Sequence, residues 1–252
     1  MSDDEKQRRW VYGIVSTGVS LKELERRSER LPEVWVVEAG DLAAIVGNAP
    51  ENDAKATRNQ ALAHAQVLEA AIVDASVVPF RFGMIVPGGD DQVRTELIQA
   101  HHDELAQLLE RLEGRLQMVL KVHYIEGELL HEILDREPEI ARLQQVTQGV
   151  SEEVGRNERV RLGELVNEAV EQQRQRDSAV LLERLKPLSI AVVVDALESE
   201  FMMLNAPFLL ERSRMQEFEE AVEEVAREYP RIRFRLLGPM PAYNFLEELA
   251  WA

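Results

Sequence analysis

The sequence predicts an α+β protein built from two ferredoxin-like units joined by helices and closed by a C-terminal tail. Three observations predict it. Short runs of β-branched and aromatic residues alternate with longer segments whose apolar positions recur at helical spacing. The order strand, helix, strand, strand, helix, strand can be read in both halves, although the halves share no visible sequence identity. The chain has 252 residues, 45% hydrophobic and 30% charged, which is a globular composition and room for two ordinary domains. In a unit of this order the helices are expected on one face of an antiparallel sheet. The implied division is a first unit over 1–88, a connecting helix over 89–114, a second unit with a helical insertion over 115–237, and a tail over 238–252.

Residues 1–9 are charged and read as a frayed end. The run 10–15 (WVYGIV) is β-branched and aromatic, so it is the first strand, and Ser16, Thr17 and Gly18 turn the chain. Leu21 and Leu24 suggest a short helix before Pro32. Residues 34–37 and 42–46 are strands joined by a hairpin link containing Gly40. From Asp53 an alanine-rich helix follows, with Ala61, Leu62, Ala65, Leu68, Ile72 and Ala75 as its apolar stripe and Asn52 or Asp53 as its cap. The run 77–86 (VVPFRFGMIV) is the fourth strand, with Val78, Phe80, Phe82 and Met84 on one face. Pro79 cannot donate to a ladder, which marks an edge strand or a strand with a bend at its start, and Gly83 leaves room for a close approach. Arg81 lies between two phenylalanines, and if buried it needs a carboxylate or carbonyl partner; it is expected as a structural ion-pair residue.

After the break at 87–91 (PGGDD), Val93, Leu97, His101, Leu105, Leu108 and Leu112 define a connector helix ending near Gly114. Residues 117–125 form a strand. Short helices interrupted by Pro138 lead to a long helix opened by Leu162, Leu165 and Val166 and stopped before Pro187. Residues 188–194 (LSIAVVV) and 200–204 are strands. The next helix buries Met215, Phe218, Val222 and Val225 and turns Glu217, Glu219, Glu220, Glu223 and Glu224 outward. The alternating run 231–236 closes the second unit as a half-exposed strand.

The chemistry-bearing residues point away from catalysis. With 29 Lys+Arg against 46 Asp+Glu the net charge is −17, which disfavours nucleic acid and anionic membrane as partners. No cysteine is present, so there is no thiolate ligand, disulfide or thiol nucleophile. The hydrophilic start has no apolar core of a leader, and no run approaches the ~18 apolar residues of a membrane span; a cytoplasmic protein is expected. The histidines His64, His101, His102, His123 and His131 have no HxxxH or HExxH spacing, so no metal site is expected. Acidic pairs such as Glu152-Glu153, Glu219-Glu220 and Glu247-Glu248 read as solvated helix faces. There is no GxGxxG, GxxxxGK[ST] or GxSxG, and no catalytic residue or cofactor is assigned.

Residues 237–245 (LGPMPAYNF) carry a different pattern: Pro239 and Pro241 stiffen an extended segment, and Tyr243 and Phe245 are placed to pin it on the core, which fits a docked C-terminal tail and a partner-contacting tail equally. A short terminal helix is expected after it, from Leu246 to Trp251. Taken with Pro79, Phe80, Arg81, Phe82 and Gly83 and the opening Tyr12-Gly13-Ile14, the tail residues Gly238, Pro239, Pro241, Tyr243 and Phe245 resemble the gas vesicle protein F/L family over nearly the whole chain. One departure is Ala242, where the family commonly has a second proline. The resemblance implies two domains of ferredoxin-like character joined through helices. It also implies a non-enzymatic assembly factor or minor structural component of gas vesicles. Its partners would be the small hydrophobic shell-forming protein, kept from aggregating during nucleation, and other accessory gas vesicle proteins. No catalytic residue is carried over. The alternative is a tandem ferredoxin-like protein that binds or converts a small molecule, which a bound cofactor or a histidine-containing pocket would reveal.

Overall fold

The computed structural model describes residues 8–50, 57–149, 151 and 155–246. The strand β1 (Arg8–Ser16) is central to a sheet of order β2 (Val34–Ala39), β3 (Leu42–Asn48), β1, β4 (Val78–Pro79), and β5 (Ile85–Pro87) also pairs with β1. All of these pairings are antiparallel. Arg8 and Arg9 belong to β1 rather than to a frayed end, because Arg9 is held between Asn48 and Val86. The hairpin β2–β3 closes at Gly40, whose φ of +68° suits glycine.

The run 77–86 is not one strand. Only its two ends pair with β1, and the three steps from Trp10 to Gly13 face six steps from Ile85 back to Pro79. Between them the Phe80 amide donates to the Tyr12 carbonyl at 2.9 Å and the Val11 amide to the Met84 carbonyl at 3.0 Å. The Met84 amide donates to the Arg81 carbonyl at 3.2 Å, closing a turn at Gly83, whose φ is +95°. The extra residues bulge outward and reset the two-residue alternation. Arg81 is therefore exposed, and among the described residues no carboxylate pairs with it. Among the described residues the expected structural ion pair does not form.

The helix α2 (Arg58–Asp74) begins later than expected. Thr57 caps it in a reciprocal pair with Gln60, and the expected caps Asn52 and Asp53 lie outside the described residues. Its buried face carries His64, Val67, Leu68, Ala71 and Ile72, whereas Leu62 is 57% exposed. Leu62 sits about 200° around the helix from His64, on the water side. With α1 (Lys22–Arg26), this face packs on Trp10, Tyr12, Ala43 and Ile45.

Residues 89–114 do more than connect. They form α3 (Asp90–Gln92), a π-helical stretch (Val93–Gln99) and α4 (His102–Leu112). The π stretch packs on β2 and β3, and α4 on β1 and β4. Helices thus lie against both faces of the first sheet, not one. The cause is visible in β3, where every residue from Leu42 to Gly47 is buried: an apolar run without alternation has no polar face for water.

Packing groups the residues up to Met118 with Leu209–Ser213 and the segment from Gly238 in one compact unit, and Val119–Phe208 with Arg214–Leu237 in another. The second sheet has the order β7 (Ala191–Val192), β8 (Met202–Glu211), β6 (Arg115–Tyr124), β9 (Ile232–Met240). Numbered within its own half, each sheet runs second, third, first, fourth. In the second unit α5 (Glu126–Arg136), α6 (Pro138–Thr147) and α7 (Arg156–Leu185) pack together, and α8 (Met215–Glu228) sets Phe218 on Phe208 with ring centroids 4.9 Å apart. Arg184 of α7 grips Glu228 of α8 through two bonds of 2.6 and 2.8 Å.

Two strand lengths differ from expectation. The apolar run 188–194 contributes only the two-residue β7, and β8 continues to Glu211 instead of stopping at residue 204. The Val193 amide donates to the Pro207 carbonyl at 3.0 Å and the Asp195 amide to the Asn205 carbonyl at 2.8 Å. Pro207 has no N–H to return, so the ladder between β7 and β8 is thinned at its middle.

Candidate functional site

The residues singled out in the sequence lie in two places, both in the first unit. Around the bulge, Phe80 is fully buried while Phe82 is half-buried on the Trp10 ring, with centroids 5.1 Å apart. Behind them stands a residue that sequence reasoning left as ordinary. His64 of α2 accepts from the Trp10 indole N–H through Nδ1 at 3.0 Å, so its proton resides on Nε2, which donates to the Phe80 carbonyl at 3.1 Å. Burial pushes the His64 pKa down from its ordinary value, which keeps the ring neutral and this tautomer in place. Tyr12 stacks on the imidazole at 5.1 Å, and burial pushes its phenol up to about 12. Pro79, Phe80 and Phe82 thus belong to a satisfied core, and the bulge offers solvent Arg81 and Gly83.

The tail is held by a residue that the sequence did not single out. Gln117 of β6, 1% exposed, donates through Nε2 to the Asn244 side-chain oxygen at 2.9 Å and accepts the Asn244 amide through Oε1 at 3.0 Å. Gly238 lies so close to β6 that an added Cβ would stand 2.6 Å from Met118 Sδ and 2.9 Å from the Gln117 carbonyl. A cis peptide joins Gly238 to Pro239, and Pro241 and Ala242 are buried. Tyr243 and Phe245, expected as the pins, are 37% exposed and half-buried respectively. Burial of the hydroxyl and the nearby Glu69 carboxylate raise the Tyr243 pKa. The anchor is an amide pair rather than an aromatic one, and the expected terminal helix lies outside the described residues.

Other polar groupings are internally satisfied. His102 meets Asp41 at 2.6 Å and Asp103 at 3.1 Å on the surface, and these two carboxylates raise its pKa. In the second unit the Tyr124 hydroxyl donates to Asp177 at 2.8 Å, the Gln173 amide donates to the same carboxylate at 3.0 Å, and Arg136 donates to Gln173 at 2.8 Å. Burial, then Asp177, holds the Tyr124 phenol far above its usual range. Tyr124, Gln173 and Asp177 border a hollow of about 280 Å³ and are turned to one another. Among the described residues no three His, Asp or Glu side chains gather as a metal-binding group, and no helix is long and apolar enough to cross a membrane.

One surface stands apart. In β7 the amides of Val193 and Asp195 face β8, so Val192 and Val194 turn their N–H and C=O groups the other way. β7 is the last strand of its sheet on that side among the described residues. Ile190 is 43% exposed, Val194 57%, and Leu197 is exposed as well. The signal in the sequence was the unbroken apolar run 188–194, which invites a reading as buried core.

Known proteins can now be set beside this geometry. The family described as gas vesicle synthesis protein GvpL/GvpF matches residues 8–247. Gas vesicle protein F of Streptomyces sp. (strain CB03234) is 30% identical over 240 residues, covering 94% of this chain and 99% of the relative. Gas vesicle protein F of Dolichospermum flosaquae is 24% identical over 242 residues, 94% of this chain and 97% of the relative. The crystal structure of GvpF from Anabaena sp. PCC7120 superposes with a TM-score of 0.76 at 22% identity, covering 95% of this chain and 98% of that one. That of GvpF from Microcystis aeruginosa gives 0.72 at 20% identity, covering 94% and 98%. The two solved structures share the α+β fold with its two sheets, and the sequence match runs through the bulge and the Gln117-anchored tail alike: the chain belongs to the gas vesicle GvpL/GvpF family.

Proposed function

We propose that this protein is a non-enzymatic gas vesicle assembly factor, or a minor component of the vesicle. In this role it binds the hydrophobic shell-forming protein and keeps it from aggregating while vesicles nucleate. The observation that carries the reading is the family match along residues 8–247, which spans both compact units. The physical rationale is simple. A shell subunit exposes apolar surface before assembly, and a partner with a net charge of −17 keeps the pair dispersed while it covers that surface. We read both units as ferredoxin-like, on the strand order second, third, first, fourth that the two sheets have in common. In this reading the protein works in the cytoplasm at the growing vesicle, beside other accessory gas vesicle proteins. Pro79, Phe80, Phe82, Gly238, Pro239 and Pro241 serve the fold, and Arg81, Gly83, Tyr243 and Phe245 remain at the surface for partners.

The test is a two-protein capture. The purified shell protein should be retained by the immobilised chain, and its light scattering on dilution from denaturant should fall when the chain is present. Shell protein that passes through unretained and aggregates at its usual rate would end the proposal.

A further inference from the structure

We propose that the outer side of β7 is a strand-docking edge, occupied by an extended apolar segment of another protein whose flanks are neutral or basic. The inference rests on the reading above, since it names the surface that an apolar subunit would meet.

The edges of the two sheets are treated differently. An open edge presents unpaired N–H and C=O groups, and proteins normally blunt it with bulges, charges, prolines or a covering element. The β4–β5 edge carries the bulge at Arg81–Gly83. The β2 edge is covered by the π-helical stretch, whose Arg94 donates to the Glu38 carbonyl at 3.1 Å. The β9 edge bears the exposed Arg233 and Arg235 and carries Pro239 one residue before its end. Among the described residues β7 has none of these devices along 188–194. Its outward backbone groups at Val192 and Val194 are flanked by the exposed Ile190, Val194 and Leu197.

The chemistry of the occupant follows from the same residues. Alternating outward N–H and C=O groups accept an extended backbone, and the branched side chains beside them favour apolar, β-forming residues in it. Residues 188–200 hold three carboxylates, Asp195, Glu198 and Glu200, and no cation; Lys121 of β6 meets Glu198 at 2.5 Å. An acidic segment would be repelled here. A second copy of this chain is disfavoured by the repulsion between molecules of charge −17 each. The thinned ladder at Pro207 adds that β7 is held weakly on its inner side and can adjust its twist to an incoming strand.

The test uses the full chain and three labelled peptides: alternating valine and threonine flanked by lysines, the same core flanked by glutamates, and the lysine-flanked peptide N-methylated at alternate positions. Fluorescence anisotropy should show the lysine-flanked peptide binding at least tenfold more tightly than either of the others. Its binding should slow amide exchange at Val192 and Val194. Val194→Pro removes an outward N–H that the fold does not use, so it should weaken binding at least tenfold with an unchanged melting curve. Val192→Lys, which places a charge on the edge without touching the backbone, should do the same. Full binding by folded Val192→Lys and Val194→Pro, equal binding of the N-methylated peptide, or a chain that sediments as a dimer broken by Val192→Lys would each overturn the proposal. Peptide binding with no capture of shell protein would support this edge and remove the assembly-factor reading. Capture of shell protein that survives both substitutions would remove this edge and leave that reading standing.

Discussion

Replacing His64 by leucine isolates the hydrogen-bonded relay at the centre of the first unit. Leucine fills most of the imidazole volume, so the change leaves little cavity and acts through polar groups. It strips the Trp10 indole N–H of its acceptor at 3.0 Å and the Phe80 carbonyl of its donor at 3.1 Å, and both residues are buried. Each orphaned group costs about 1–3 kcal/mol, so the pair should cost roughly 2–6 kcal/mol. For a chain of this size that lowers Tm by about 2–4 °C per kcal/mol, measured by circular dichroism or calorimetry. A second signature lies in the pH dependence. The folded pKa of His64 lies below its ordinary 6.5, so below that pH the unfolded chain takes up a proton that the folded chain refuses. Stability from this group is full above 6.5 and falls as the pH drops, by up to about 1.4 kcal/mol per pH unit. His64→Leu should remove that slope. His102 works in the opposite sense: its raised pKa stabilises below 6.5 and the effect fades as the pH rises through the folded value. The comparison is therefore made in a His102→Gln background. A loss under ~0.5 kcal/mol, or an unchanged slope, would refute the relay.

Three further outcomes follow from the packing. Gly13→Ala places a Cβ 2.7 Å from the Val78 carbonyl and 2.9 Å from Val77 Cγ1, and should cost about 1–3 kcal/mol by denaturant unfolding. Gln117→Leu removes both bonds to Asn244 and should cost about 1–3 kcal/mol while making the tail after Gly238 cleave faster under limited proteolysis. Arg81→Ala, at an exposed position with no ion pair among the described residues, should stay within about 0.5 kcal/mol of the parent in thermal melts.

Much of the architecture could be read from local pattern. β1, β2 and β3 announce themselves through β-branched and aromatic runs, α8 through Phe218, Val222 and Val225 against a glutamate face, and the tail through its prolines. The misreadings share one cause, which is that they depend on a partner elsewhere in the chain. Alternation along Val78–Phe80–Phe82–Met84 suits an unbroken strand as well as a bulged one, and only β1 decides which residues pair. The length of β7 is limited by Pro207 on its neighbour. The burial of β3 on both faces was present as an unalternating run, but its second cover comes from a segment that looked like a linker. His64 and Gln117 are single polar residues without a motif, and only their partners 54 and 127 positions away give them meaning.

The amide clasp at Gln117 also bears on how the chain reaches its fold during synthesis. The first compact unit is closed by groups made long after its strands: Arg212 donates to the Ile72 carbonyl at a separation of 140 residues, and Asn244 meets Gln117 at a separation of 127. The second unit, Val119–Phe208 with Arg214–Leu237, is complete in the nascent chain before Asn244 has been added. The usual N-terminal-first order of maturation is thereby inverted at this step, because the first unit waits for residues made after those of the second. A truncated product of translation would carry an unclosed first unit, and cellular proteolysis would find it there.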